Sequence, residues 1–228
     1  MHLAELWRYP VKSMAGEPIM EASLASMGIP GDRGLYVVDA RGRVMTARTR
    51  PGLLALHPTL GASGDVLVDG FPWRDPEVGR RVREAAGDGT HLVQAQGAER
   101  FDILPLLVAT DGAIAVLGVD RRRFRPNLLI GGVPGTAERI WEGKFLRIGS
   151  GVVGLADLRQ RCIMTTWDPD TQEQDTKVLH TIQRTFGGSL ALNAWTARPG
   201  RVAVGDAVEL LDEFDAPEAR VLGRMAGD

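Results

Sequence analysis

Residues 34–48, GLYVVDARGRVMTAR, contain the pattern that decides the fold. An apolar run at 35–38 is followed by a polar turn at 39–42 and by a second apolar run at 44–47. Two short apolar runs joined by Asp, Arg and Gly predict a β-hairpin. A second hairpin is predicted at 66–73, VLVDGFPW, where Asp69-Gly70 suits a primed turn.

Outside these hairpins the sequence predicts more strands and only a few helices. Further strands are predicted at 104–109, 145–148, 152–155 and on both sides of Gly205-Asp206. A helix is predicted after Asp75 and Pro76, and another is predicted after an N-cap at Thr110 or Asp111. The clearest helix covers 175–187, where Val178, Leu179, Ile182 and Phe186 fall on one face.

Short strands, few helices and no regular βαβ alternation predict a β-rich α+β fold, barrel-like in part. The polar and glycine-rich stretch 86–97 is the predicted boundary between two subdomains, which gives residues 1–95 and 96–228. The segment after Asp212 has weak periodicity, and we expect it to fray or to form a short helix.

Composition narrows the classes of partner. The chain of 228 residues is 44% hydrophobic and 25% charged with a formal net charge of −2, as in ordinary globular proteins. No global charge favours nucleic acid or an anionic membrane, so any anion site must be local. The longest apolar stretch, 103–119, is interrupted by Pro105 and Asp111 and is too short to span a bilayer. The N-terminus lacks the pattern of a signal peptide, and we expect a cytoplasmic location.

Cys162 is the only cysteine and lies in residues 159–171, RQRCIMTTWDPDT. A single thiol cannot form an internal disulfide, and it excludes a four-cysteine iron–sulfur cluster within the chain. Three interpretations stay open, namely an inert core residue, a nucleophile and a metal ligand. The neighbouring arginines favour the thiolate, which is the form that attacks electrophiles or binds a soft metal.

Several donors of hydrogen bonds to anions stand in turn-like contexts, where proline and glycine restrict the backbone. Together they predict a pocket for a phosphate or carboxylate, although each one alone is more typical of a solvated surface group. The run Arg121–Phe124 begins with three arginines, which we interpret as a solvated face. The candidates for the anion pocket are Lys12, Ser13, Arg33, Thr46, Arg48, Arg125 and Asn127.

Asp102 is the candidate acid or base. It starts an apolar segment, so burial is expected to raise its pKa, with a capping or hairpin role as the alternative. The histidines show neither HExxH nor a spacing suited to a metal, although a Cys162–His nucleophilic pair stays open. The four histidines are His2, His57, His91 and His180.

These motifs coincide in one family. Residues 6–48 resemble the N-terminal β-barrel part of MOSC-domain proteins. The segments RFRPNLLIGG (123–132), RCIMTTWDPDT (161–171) and VAVGDAVELL (202–211) resemble the MOSC domain itself. The elements YPVKS, GDR, RFRPN and RCxxTxxDPxT occur in the family's order. The two-part layout is most similar to the mitochondrial amidoxime-reducing components and their bacterial relatives. The fold implied is an N-terminal β-barrel-like subdomain packed on a MOSC β-barrel domain with a few helices.

The resemblance implies a molybdenum cofactor of the molybdopterin type, with Cys162 as the protein thiolate on the metal. It implies that the anion-pocket residues hold the phosphate and pterin, and it adds Arg161, Thr165 and Thr166 as supports of the thiolate or cofactor. Asp102 then becomes the candidate catalytic residue, in a positioning or proton-handling role.

The activity implied is a two-electron reduction of N-hydroxylated compounds such as amidoximes and hydroxylamines. Because the chain ends soon after VELL, we expect electrons from a separate reductase, cytochrome or ferredoxin. Neither nucleic acid nor membrane is an expected partner. The alternative is a non-catalytic module that carries the cofactor or sulfur for cofactor maturation. A third hypothesis is a thiol nucleophile without metal.

Overall fold

The computed structural model describes residues 1–216; the last part of the segment after Asp212 and the end of the predicted second subdomain lie outside this range. Three α-helices are found in residues 1–216: α1 Pro76–Ala86, α2 Asp111–Leu117 and α3 Thr176–Phe186. The strands of the same residues are β1 His2–Arg8, β2 Glu17–Ile19, β3 Glu21–Leu24, β4 Leu35–Val38, β5 Val44–Met45, β6 Pro58–Leu60, β7 Val66–Val68, β8 Phe71–Pro72, β9 His91–Gln94, β10 Leu106–Thr110, β11 Leu128–Gly131, β12 Phe145–Ile148, β13 Gly151–Gln160, β14 Ser189–Arg198, β15 Gly200–Ala203 and β16 Val208–Leu211.

Both predicted hairpins are present. β4 pairs antiparallel with β5, so that Val37 faces Met45 and Val38 faces Val44. β7 pairs with β8 across Asp69 and Gly70, whose φ angles of 49° and 86° are the positive values that a primed turn requires. The stretch predicted as a boundary, 86–97, contains β9, which pairs with β4. The division at residues 95 and 96 stays a prediction.

The helices begin and end where their capping residues predict. The Asp75 side chain accepts a hydrogen bond from the Glu77 amide before α1, and Gly87 ends that helix. Thr110 caps α2, and Asp175 caps α3 by accepting from the Lys177 amide. The buried face of α3 consists of Val178, Ile182 and Phe186, as its apolar spacing predicts.

The largest sheet has eight strands in the order β16-β12-β13-β14-β10-β11-β1-β2, with β10 and β11 parallel. This sheet curls on itself. The amide of Leu3 in β1 donates to the Asp206 carbonyl and the Val208 amide donates to the Met1 carbonyl, which joins β1 to the start of the edge strand β16. The prediction of a β-rich α+β fold with barrel-like curvature is confirmed.

The two largest clusters of buried apolar residues belong to different parts of the molecule. The larger one is enclosed by the eight-stranded sheet and includes Leu6, Leu106 and Leu128. The second one includes Val11, Met14 and the inner residues of β4, β7 and α1. Segments from both parts of the molecule come together at one cleft, which contains the candidate site.

Candidate functional site

The cleft has ≈ 830 Å³ of empty space, including the solvent at its mouth. It is lined by short segments that are distant in sequence but meet because strand ends and turns from both cores converge there. Nearly all the residues predicted from sequence line this cleft, the exceptions being Thr165 and Thr166. Those present are Lys12, Ser13, Arg33, Thr46, Arg48, Asp102, Arg125, Asn127, Arg161 and Cys162.

The walls of the cleft are strongly cationic. Eight of the lining residues are Lys or Arg, and Asp102 is the one carboxylate in the lining formed by residues 1–216. The whole chain has a formal charge of −2, so this concentration of positive charge is local, as the sequence requires of any anion site. The eight cations are Lys12, Arg33, Arg48, Arg100, Arg123, Arg125, Arg159 and Arg161.

Three lining residues have a left-handed backbone. The φ angles of Ser13, Arg33 and Arg125 are 68°, 51° and 56°. Residues other than glycine avoid this conformation, and such residues cluster at functional sites where the surroundings hold them in place. The turns therefore direct these three side chains at a cost in backbone energy.

Tyr9 forms a platform for two of the arginines. Its buried ring lies under the guanidinium groups of Arg125 at 4.2 Å and Arg33 at 5.0 Å. The Tyr9 hydroxyl donates to the Pro126 carbonyl at 3.1 Å, and the Tyr9 amide donates to buried Asp32 at 2.8 Å. Burial raises the pKa of Tyr9, which keeps the phenol neutral. Tyr9 belongs to the motif YPVKS, but nothing in that motif predicts this role.

The side-chain amide of Asn127 forms hydrogen bonds to four groups of the protein and so connects segments around the cleft. The amide nitrogen donates to the Trp7 carbonyl and to Asp32, both at 3.2 Å. The amide oxygen accepts from the Leu107 amide at 3.2 Å and from Arg33 at 3.3 Å. These four bonds fill the capacity of an amide, so Asn127 positions Arg33 and has nothing left to offer a ligand.

The expectation of a raised pKa for Asp102 is wrong, because its net pKa is lowered. Burial does act in that direction, but the Asp102 carboxylate accepts hydrogen bonds from Lys12 at 2.7 Å, Arg159 at 3.0 Å and Arg48 at 3.4 Å. These cations outweigh burial and lower the pKa of Asp102 to about 2. An ionised carboxylate with three cationic partners orients side chains and cannot donate a proton at neutral pH.

Three guanidinium nitrogens in the lining are buried without a hydrogen-bond partner. They are Nε of Arg100, Nη2 of Arg125 and Nε of Arg161. Burial lowers the pKa of Arg125 to about 10, and burial together with Arg159 lowers the pKa of Arg161 to about 10. Both groups still carry their charge at neutral pH. Arg125 donates to the Met14 carbonyl and Arg161 to the Phe124 carbonyl, but neither has a carboxylate partner in residues 1–216, and a buried cation without one is costly. A bound anion would remove that cost.

The loop of Cys162 is held by the two threonines. The Thr165 hydroxyl donates to the Cys162 carbonyl at 3.0 Å, and the Thr166 hydroxyl donates to the Ile163 carbonyl at 2.7 Å. Both threonines are buried outside the cleft lining, where they shape the turn, and their support of the thiolate or cofactor stays a prediction. Cys162 is exposed at the start of this turn, with its thiol at the cleft.

Arg123 corrects the interpretation of the arginine run as a solvated face. Arg121 and Arg122 do form ion pairs with Glu5 and Asp120 near the surface. The Arg123 side chain is only 11% exposed, and it donates to the Thr166 carbonyl and to Asp168. Arg123 thus ties the run of arginines to the loop of Cys162.

Sequence reasoning missed Arg100 and Arg159. A signal for Arg159 was available, because residues 159 and 161 are two apart at the end of β13, and alternate residues of a strand face the same side. Arg100 is the last residue of a 3-10 turn, and nothing in its local sequence distinguishes it from a surface arginine.

None of the four histidines is among the residues that line the cleft, all four lying within residues 1–216. His180 is exposed on α3, and His57 lies next to Asp69. The hypothesis of a Cys162–His nucleophilic pair therefore has no histidine at the thiol.

Within residues 1–216, every helix is too short or too polar to cross a bilayer.

Comparison with known proteins gives matches along nearly the whole chain. Residues 1–102 match the family model of the MOSC N-terminal beta barrel domain, and residues 108–209 match that of the MOSC domain. The human mitochondrial amidoxime-reducing component 1 is 27% identical, over 92% of this chain and 83% of that protein. The mitochondrial amidoxime reducing component 2 of Macaca fascicularis is 27% identical, over 77% of this chain and 69% of that protein. Among solved structures, the YuaD protein of Bacillus subtilis matches with a TM-score of 0.48 and 14% identity, over 93% of this chain and 96% of that chain.

Proposed function

The chain belongs to the MOSC-domain family, and from this premise we propose that it is a molybdenum-cofactor oxidoreductase that reduces N-hydroxylated compounds. The reduction of amidoximes is what the matched relatives are named for. Electrons would come from a separate donor protein. The observation that supports this function best is a single cleft that combines unpartnered buried guanidinium nitrogens with an exposed thiol.

The donor set of the cleft fits a molybdopterin-type cofactor. Such a cofactor has an anionic phosphate and a metal that takes a soft ligand, and both needs are met here. The buried nitrogens of Arg100, Arg125 and Arg161 are unsatisfied without an anion. Cys162 offers the one thiol of the chain, at the same cleft.

We assign the phosphate to the side of the cleft formed by Arg125 and Arg161, with Ser13 and Arg48 completing the anion site. Cys162 would bind the metal. When bound, the molybdenum centre supplies two-electron redox chemistry, while the protein supplies orientation and electrostatics.

Reduction of an N–OH group to N–H consumes two electrons and two protons and releases water. The cleft contains one group suited to supply a proton at Nζ of Lys12, whose pKa is lowered by burial despite the opposing Asp102. Asp102 accepts from Lys12 at 2.7 Å and fixes the direction of that ammonium group. We therefore give Asp102 a positioning role and Lys12 the proton-handling role.

The first experiment measures metal and pterin separately. The wild type is expressed with molybdate in a host that makes the cofactor, and molybdenum is measured by elemental analysis and pterin by the fluorescence of its oxidised form. We expect both groups in the wild type. Cys162→Ser should lose the metal but keep much of the pterin, because the arginines are unchanged. A wild type without molybdenum and pterin would overturn the proposal.

A second measurement separates an enzyme from a carrier. The loaded protein is assayed for reduction of benzamidoxime with a reduced viologen as the small-molecule donor. Turnover by the wild type and its loss in Cys162→Ser are expected. A loaded protein that shows no turnover, but hands cofactor or sulfur to an apo-enzyme, would contradict the oxidoreductase and support the carrier.

A further inference from the structure

The exposed face of α3 carries a stripe of basic residues. Lys177, His180 and Arg184 are spaced i, i+3 and i+7, which places them on one side of the helix, and all three are exposed. The helix contains no Asp or Glu. In the described part of the chain, neither Lys177 nor Arg184 forms an ion pair, whereas Arg80 and Arg81 of α1 both pair with Glu77.

The stripe lines a shallow concave surface of its own, separate from the cleft. Thr181 and Gln183 complete its lining between the basic residues. A concave surface with the two cations Lys177 and Arg184 and neutral hydrogen-bonding groups is complementary to carboxylates on another molecule. Because the cations lack acidic neighbours on the helix, their field extends into solvent and can steer an acidic partner.

Hydrogen bonds join both ends of α3 to the loop that bears Cys162. Before the helix, the Asp175 amide donates to the Thr166 carbonyl at 2.8 Å. After the helix, the Gly188 carbonyl accepts from the Arg161 amide at 2.9 Å. Arg161 precedes Cys162, and Thr166 ends its 3-10 turn. The position of α3 is therefore fixed relative to the thiol.

The inner face of α3 reaches the wall of the cleft. Val178, Ile182 and Phe186 pack in one cluster with Phe124. Phe124 lines the cleft and lies under the Arg161 guanidinium at 5.4 Å. A protein seated on the basic stripe would therefore be about 10 Å, one helix diameter, from this wall.

An exposed apolar residue lies directly after Cys162. Ile163 follows Cys162 in the turn that packs against α3, and it is 40% exposed. Interfaces commonly combine an apolar centre with a charged rim, and weak redox complexes are small and steered by charge. Ile163 and the stripe together have this composition.

From these observations we propose that the basic stripe of α3 is the docking site for the acidic face of a one-electron carrier protein. The proposal rests on the oxidoreductase function above and identifies the partner by its chemistry. Two reduced carriers dock in turn, each losing one electron. The two electrons and two protons convert the N–OH group into N–H and water, and two oxidised carriers are released.

The kinetic test uses a plant-type [2Fe–2S] ferredoxin as the probe, since its surface is acidic. Its reoxidation by the loaded wild type and benzamidoxime is followed at low and high ionic strength. For Lys177→Glu/Arg184→Glu, we expect the ratio of the ferredoxin-driven to the viologen-driven rate to fall about tenfold or more at low ionic strength. The variant should also lose most of the salt dependence seen in the wild type.

The matched control is Arg41→Glu/Arg83→Glu, which changes the net charge equally at exposed arginines far from α3 in the sequence. Its rate ratio should stay near that of the wild type. Equal falls in both double variants would assign the effect to net charge and overturn the docking site. A wild type that accepts electrons from viologen but not from ferredoxin would overturn the acidic partner. Absence of viologen-driven turnover would instead refute the oxidoreductase itself.

Carbodiimide cross-linking provides a readout that is independent of turnover. The chain has three lysines, of which Lys12 is buried in the cleft and Lys144 is paired with Asp212. We expect the ferredoxin carboxylates to form amide bonds with Lys177, and we expect high salt to suppress them. Peptide mapping that finds Lys144 linked as readily as Lys177 would contradict the proposed site.

Discussion

The guanidinium groups of Arg125 and Arg161 in the cleft and of Arg80 on α1 are chemically identical, but their burial and their partners differ. Each cleft arginine has a buried guanidinium nitrogen with no partner. The Arg80 guanidinium is 51% exposed and is shared between Glu77 and Glu84. The charge of the surface arginine is paired with carboxylates, whereas each cleft arginine donates to one backbone carbonyl and has no carboxylate partner in residues 1–216. Burial and the absence of an ion-pair partner distinguish an arginine that binds a ligand from one on the solvated surface. The residue type alone does not distinguish them.

The same contrast applies to the carboxylates. The Asp102 carboxylate accepts hydrogen bonds from three cations in the cleft. The buried Glu138 carboxyl group accepts one side-chain hydrogen bond, from the Thr110 hydroxyl at 3.1 Å, and its other oxygen has no partner. The pKa of Asp102 is lowered to about 2, and the pKa of Glu138 is raised by burial. Burial alone does not set the sign of the shift, because the neighbouring charges decide it.

The largest effect is expected at Arg125. Arg125→Gln removes a cation with an unpartnered nitrogen, so the affinity of the apo-protein for pyrophosphate should fall about 30- to 100-fold, or about 2–3 kcal/mol. Isothermal titration calorimetry on protein from a host that makes no cofactor measures this affinity. The control Arg80→Gln should bind like the wild type. Unchanged binding in Arg125→Gln would refute the distinction between the two groups of arginines.

Asp102→Asn is expected to lower the free energy of unfolding by about 2 kcal/mol at neutral pH. Because the folded pKa of about 2 lies below the usual 3.8, the carboxylate stabilises the fold above about pH 4. That contribution is lost as the pH falls towards 2, so the difference between wild type and variant should shrink there. Urea unfolding at several pH values provides the measurement. A difference that does not depend on pH would contradict the ion-pair explanation.

Much of the fold could be predicted because its signals are local. Asp75, Asp175 and Thr110 cap helices as their positions predict, and Asp69-Gly70 forms its turn. These features depend on backbone hydrogen bonds within a few residues. The curl that brings Leu3 next to Asp206 joins the two ends of the described chain, and no local pattern specifies it.

The site was predictable as a set of residues but not as a set of contacts. Lys12, Arg33, Arg125 and Cys162 meet in one cleft, as their motifs indicate. The pKa of Asp102 was predicted in the wrong direction, because its three cations, Lys12, Arg48 and Arg159, lie 90, 54 and 57 residues away in the sequence. Asn127 likewise looks like a ligand-binding amide in sequence, although its four bonds are made within the protein.

A smaller effect of opposite sign is expected at Glu138. Its raised pKa means that the folded state binds the proton more tightly than the unfolded state, so stability is greatest at acid pH and falls as the pH rises through the folded pKa. Glu138→Gln removes the charge and should stabilise the protein by about 1 kcal/mol at neutral pH. The gain should disappear below the usual carboxyl pKa of 4.5. Denaturant unfolding of both proteins at neutral and acid pH measures it, and destabilisation at neutral pH would contradict a buried charge.

The smallest effect is expected at Arg80, where Arg80→Gln should leave the unfolding midpoint within experimental error. The pKa of Glu77 is lowered to about 2 by hydrogen bonds from Arg80 and Arg81, a value like that of Asp102. The ion pair of Glu77 and Arg80 is nevertheless expected to contribute little to the free energy of unfolding, because exposed ion pairs are screened by water and salt. Thermal unfolding at low and high salt tests this point. If Arg80→Gln destabilised the protein as much as Asp102→Asn, the number of ion pairs rather than their burial would separate the surface from the cleft.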